Sequence, residues 1–102
     1  MLSLLTVSKA QQKIAEYLRK IRLSKGLTQS GLADRSGVSL PTLRKFEQQG
    51  LISLESLLKL SMALGCLEGL VKAFEPSPQE FSSIDEVLTD RKKKEPKRGW
   101  LS

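Results

Sequence analysis

The side chains best placed to do chemistry lie between residues 39 and 48: Leu40, Pro41, Thr42, Arg44, Lys45 and Gln48. On a helix most of them point outward together. They combine a guanidinium, an ammonium, an amide, a hydroxyl and two apolar groups. Cations meet a polyanion, and a mixed polar and apolar face suits the base edges of a major groove. Catalysis is poorly served by comparison. The chain has no histidine and one cysteine, so it cannot form an intrachain disulfide or assemble a nucleophile, base and orienting group. Cys66, in LGCLEG, is expected to be a small buried hydrophobe. Glu68, Glu75, Glu80, Asp85, Glu86 and Asp90 lack metal-ligand spacing and read as a solvated face. No enzymatic activity, metal or cofactor is expected.

The elements that must carry the outward face are legible around it. Leu27 to Phe46, LTQSGLADRSGVSLPTLRKF, reads as two short helices about one tight turn. Thr28 is placed to cap the first, which runs through Gln29 to about Ser36. Gly37 follows where the chain must reverse, since glycine tolerates positive φ. Ser39 is placed to cap the second helix, with Pro41 in its first turn, where a missing N–H costs nothing. Leu32, Val38, Leu43 and Phe46 fall inside, and Ala33 is small where the helices cross. This is the arrangement of a helix-turn-helix, whose second helix typically enters the DNA major groove; the same spacing also fits an ordinary αα-corner of a small helical protein.

Flanking helices are expected on both sides. Residues 9–25 read as a first helix, ended by Gly26. Its apolar face carries Ile14, Leu18 and Ile21, with Ala15, Tyr17 and Leu23 beside it, and Lys25 lies one turn on. Lys9, Lys13, Arg19, Lys20 and Arg22 supply its polar side. After Gly50, Ser53 caps a strongly apolar core helix, LESLLKLSMAL, with Leu54, Leu57, Leu58, Leu60, Met62 and Leu64. A fifth helix, about Leu67 to Phe74, carries Leu70, Val71 and Phe74, and Pro76 and Pro78 stop it. SSIDEVLTD has a short amphipathic pattern through Ile84, Val87 and Leu88. The basic run RKKKEPKR is expected to be disordered in isolation. The terminal GWLS places Trp100 on that basic tail, which suggests docking on a protein surface.

The 102 residues suffice for one small domain and a tail. Charge is segregated: residues 1–45 carry +7, residues 46–90 carry −6 and residues 91–102 carry +5. The basic first block holds the helix-turn-helix, as a polyanionic duplex requires. MLSLLTV lacks a basic n-region and a cleavage site, and no run reaches the length of a membrane span. The expected location is therefore the cytoplasm, at the nucleoid, with no membrane partner.

LRKIRLSKGLTQSGLADRSGVSLPTLRKFEQQG followed by SLESLLKLSMALG resembles the Xre/Cro/C1-type helix-turn-helix repressors over about residues 14–75. GLTQ, Ala33 with Gly37, GVS, FEQ and SLESLLKL fall in that family's order. Within the family the chain looks most like HipB-like antitoxins, which repress the operon they share with a HipA-type kinase toxin. SLPTLRKFEQ, an acidic fifth helix, the Pro-rich linker and the basic tail carry that second likeness.

The resemblance implies an all-α, five-helix, lambda-repressor-like domain over 1–75, then a Pro-rich linker, a short helix and a partly disordered basic tail over 76–102. It implies a homodimer on an inverted-repeat, double-stranded operator. The DNA contacts implied are Lys25, Thr28, Gln29, Ser39, Leu40, Pro41, Thr42, Arg44, Lys45 and Gln48. Gln29 matches a phosphate-contacting glutamine, and Arg22 and Glu47 match an Arg–Glu pair tying the first helix to the third. Arg91, Lys92, Lys93, Lys94 and Trp100 are the residues expected to bind a partner, a HipA-like kinase toxin or its complex or the second copy of the dimer, in preference to adding nonspecific DNA affinity. Many relatives carry glutamine, serine or arginine where this chain has Leu40 and Pro41, so hydrogen-bonded readout falls to Arg44 and Lys45. The rival readings are a stand-alone phage-type or restriction-controller repressor, and a helical protein-interaction module.

Overall fold

The computed structural model describes residues 4–77. Five helices and no strand are found among them: α1 (Val7–Ser24), α2 (Gln29–Ser36), α3 (Leu40–Gln49), α4 (Leu54–Leu64) and α5 (Leu67–Ala73). The short helix expected near Ile84, the basic run and Trp100 lie outside the described residues. The chain divides after Val71, within α5, and the residues from Lys72 on belong to a separate unit; the sequence boundary is set after residue 75.

Each of the first four helices starts where a hydroxyl takes up an orphan N–H. Thr28, Ser39 and Ser53 cap α2, α3 and α4 as expected. The expected start of α1 at residue 9 is corrected by a fourth cap of the same kind. Thr6 Oγ1 accepts from the Lys9 amide at 3.1 Å, so the helix begins at Val7. Lys25 is the C-cap of α1 rather than its last turn, and Gly26 follows it.

The core is built from Ala15 of α1, Leu32 and Ala33 of α2, Val38 of the turn, Leu43 and Phe46 of α3, and Leu60 and Leu64 of α4. Helix α1 packs on α3, α2 packs on α3 and α4, and α1 also meets α4. Burying each large apolar side chain of this kind is worth about 1.5–3 kcal/mol. Five of these residues, Leu32, Ala33, Val38, Leu43 and Phe46, belong to the helix-turn-helix, so the core fixes that unit directly.

Expectations for α1, α4, α5 and Cys66 are corrected. On α1, the buried residues are Ala15 and Arg22, while Ile14, Tyr17 and Leu23 are exposed. Arg22 lies seven residues after Ala15 and shares its face; the polar assignment made on charge alone fails because the guanidinium has a buried partner. On α4, Leu54 and Met62 are each 70% exposed, and the buried set is Leu60, Ser61 and Leu64. Ser61 takes a core position because its hydroxyl donates to the Leu57 carbonyl at 2.8 Å. Helix α5 ends at Ala73, and it holds Glu68 and Lys72, so it is balanced rather than acidic. Cys66 is half-buried and packs against the edge of the core.

Two glycines close helices for different reasons. Gly37 ends α2 at φ 78°, with open space where a Cβ would stand. Gly50 ends α3 at φ 74°, and a Cβ there would lie 2.9 Å from the carbonyl carbon of Gln11 in the α1 backbone. Gly37→Ala is therefore expected to lose roughly 1–2 kcal/mol, the cost of a left-handed L-residue. Gly50→Ala adds overpacking of about 1–3 kcal/mol to that cost. Urea unfolding of both variants checks the difference, and equal losses would refute a close α1–α3 approach at Gly50.

Candidate nucleic-acid interface

Helix α3 divides cleanly. Leu43 and Phe46 are buried, while Pro41, Arg44, Lys45 and Gln48 are exposed. Those four occupy positions i, i+3, i+4 and i+7, which is one face of one helix. Among the described residues the ion pairs are Lys20–Glu16, Arg22–Glu47 and Lys59–Glu55. None of them engages Lys25, Arg44 or Lys45, so these three cations stand in solvent without an acidic partner. Leu40 and Thr42 are half-buried, and Leu40 packs against the core with part of its surface.

The N-terminal ends of α2 and α3 are held by short polar contacts. Thr28 Oγ1 accepts from the Gly31 amide at 2.9 Å. Ser39 Oγ accepts from the Thr42 amide at 3.3 Å and donates to Thr42 Oγ1 at 2.8 Å. Thr28 and Ser39, both expected as DNA contacts, act in the structure as caps. Lys25 is exposed at the end of α1, just before the loop that leads to them. The turn between α2 and α3 forms an open hollow of about 410 Å³, lined by Ser30, Ala33, Asp34, Gly37, Val38, Ser39 and Leu40. The sequence reading did not include Ser30 or Asp34. Ser30 brings a hydroxyl to this surface, and the Asp34 carboxylate marks a part of it that a phosphate would avoid.

A buried polar centre joins α1, α2 and α3. Arg22 Nε donates to Glu47 Oε2 at 2.8 Å and Arg22 Nη2 donates to Glu47 Oε1 at 3.0 Å. Their side chains are 7% and 5% exposed. Arg22 Nη1 donates to the Leu27 carbonyl at 2.8 Å, and the Leu27 amide donates back to the Arg22 carbonyl at 3.1 Å. Gln29 Nε2 donates to Glu47 Oε1 at 2.9 Å. One carboxylate on α3 thus gathers the end of α1 and the start of α2, and Arg22 ties in the loop at Leu27. Every buried side-chain nitrogen and oxygen among the described residues has a hydrogen-bond partner. The family resemblance implies the Arg–Glu pair but not the Leu27 and Gln29 links. The available signal is an arginine at a core-face position of α1, which requires an acid opposite.

No three histidine, cysteine or acidic side chains come together as a metal site among the described residues. No described helix is long and apolar enough to cross a membrane.

The helix-turn-helix family model matches residues 18–69, just over half of the chain, from the middle of α1 into α5. The chain belongs to the Xre/Cro/C1-type helix-turn-helix family. That family is one of DNA-binding transcription regulators and is generally non-enzymatic, and this chain is a DNA-binding regulator. No curated protein matches the chain.

The buried centre generates a stability test. Glu47→Ala strands the Arg22 guanidinium in the core and is expected to cost about 3–5 kcal/mol. Changing both partners to apolar residues, Arg22→Met with Glu47→Leu, is expected to recover most of that loss. Guanidinium unfolding of the two proteins measures it. A double variant as unstable as the single one would show that packing, and not the stranded charge, sets the cost.

Proposed function

We propose that this chain is a homodimeric, sequence-specific repressor that binds an inverted-repeat operator upstream of its own gene. The observation that carries the reading is the α3 face of Pro41, Arg44, Lys45 and Gln48, exposed and without an acidic partner among the described residues, on a helix anchored from behind by Glu47. Arg44 or Lys45 reads guanine O6 and N7, a contact that discriminates by about 1–3 kcal/mol. Pro41 and the exposed part of Leu40 pack on thymine methyl groups. Lys25, Thr28, Gln29, Ser39 and Thr42 contact the backbone and fix register, with Gln48 at the far end of the face. Two copies place two α3 helices about one DNA turn apart. Repression follows because the bound dimer excludes polymerase in the cytoplasm, at the nucleoid.

The finer reading, an antitoxin and autoregulator beside a HipA-like kinase toxin, is supported by SLPTLRKFEQ in α3 and by the tail that carries Arg91, Lys92, Lys93, Lys94 and Trp100. The balanced charge of α5 removes one of the features that favoured it. Co-purification with the product of the adjacent gene tests it. A stable complex that is lost on deletion of residues 91–102, with the salt dependence of DNA binding unchanged, is the expected result. No complex with the full-length chain would leave a stand-alone repressor.

Operator binding is tested with DNA from upstream of the gene against a scrambled duplex at physiological salt. A preference of at least ~10³-fold is expected. Arg44→Ala should relax discrimination at one base pair per half-site by roughly 1–3 kcal/mol while other positions keep theirs. A uniform loss over all variant sites would make Arg44 a phosphate contact.

A further inference from the structure

Glu47 does more in this structure than neutralise Arg22. Its Oε1 accepts from both Arg22 Nη2 at 3.0 Å and Gln29 Nε2 at 2.9 Å. A carboxylate only accepts, so Gln29 must present its NH₂ group, and not its carbonyl, to Glu47. An unconstrained glutamine amide can turn either end outward, and a phosphate accepts from only one of them. Gln29 is the first residue of α2 and is half-buried, so its side chain is held close to the helix start.

We propose that Glu47 is a positioning residue for the DNA-backbone contact of Gln29. Its carboxylate locks the amide so that the remaining N–H is offered to a phosphate at the start of α2. The inference rests on the reading of Gln29 as a backbone contact made above. Arg22 is what makes this arrangement compatible with DNA. Its bidentate pairing cancels the Glu47 charge, and both side chains are buried, so the carboxylate orients Gln29 without repelling the duplex. Because Glu47 lies on α3 and Gln29 on α2, the same bond fixes the phosphate contact relative to the base-reading face. The ordering of the amide then precedes binding instead of opposing it.

The test uses the full-length chain and its operator duplex. Affinities are measured for Gln29→Ala, Glu47→Gln and the double variant, and for duplexes with single phosphates replaced by neutral methylphosphonates. Gln29→Ala and Glu47→Gln are each expected to weaken binding by about three- to tenfold. The double variant should be no weaker than Gln29→Ala. One phosphate per half-site should matter for the native protein and become silent in both single variants. Arg22→Met with Glu47→Leu removes the carboxylate without stranding a charge. It should silence the same phosphate, which keeps the test open if Glu47→Gln folds poorly. Losses that simply add, or a Glu47 variant that keeps the native phosphate pattern, would overturn the positioning role while leaving the Gln29 contact standing. If Gln29→Ala itself silences no phosphate, the contact is absent and the proposal falls with it.

Discussion

A single ion pair, Arg22 with Glu47, ties the sequence-distant parts of this protein together. Two charges enclosed by protein are costly to desolvate, and the cost is offset only if every donor and acceptor finds a partner. The structure meets that condition closely. The guanidinium gives two bonds to Glu47 and one to the Leu27 carbonyl, and the carboxylate takes a further bond from Gln29. Most of this geometry is directional, unlike apolar packing. It therefore specifies how α1, the loop and α2 sit around α3, where the apolar core by itself would permit small sliding adjustments.

The apolar core and the glycine turns work on a different scale. Leu32, Leu43, Phe46, Leu60 and Leu64 supply the bulk of the burial and hold the helix-turn-helix against α4. Gly37 sets the turn between α2 and α3. Gly50 lets α3 end where the α1 backbone passes, an approach that any side chain would obstruct. With the back of α3 committed to Leu43, Phe46 and Glu47, the remaining side chains have one direction left to point. The outward face at Pro41, Arg44, Lys45 and Gln48 is thus a consequence of how the inward face is spent. Its chemistry follows: two cations and an amide at helical spacing, with a proline and part of a leucine beside them, mixing hydrogen-bond donors with apolar surface.

Much of this was legible in the chain. The hydroxyl caps at Thr28, Ser39 and Ser53, the glycine at residue 37 and the apolar residues of α2 and α3 are local signals, readable because capping and helical periodicity depend on near neighbours. The outward α3 residues followed from the same periodicity. The faces of α1 and α4 were less legible. Leu54 and Met62 are as apolar as their buried neighbours, and only the positions of the other helices decide which leucines meet the core. Arg22 is the sharpest case. Charge placed it in solvent, and the resemblance to a family paired it with Glu47.

The sequence by itself determined the starts of α2, α3 and α4, the turn, the segregation of charge and the outward residues of α3, because each is read within a few residues along the chain. Only the tertiary structure decided that Glu47 also holds Gln29, that Arg22 reaches the Leu27 carbonyl and that Gly50 lies against the backbone of Gln11. Those contacts join residues on different elements. Their partners are chosen by helix packing in three dimensions, and no spacing along the chain encodes them.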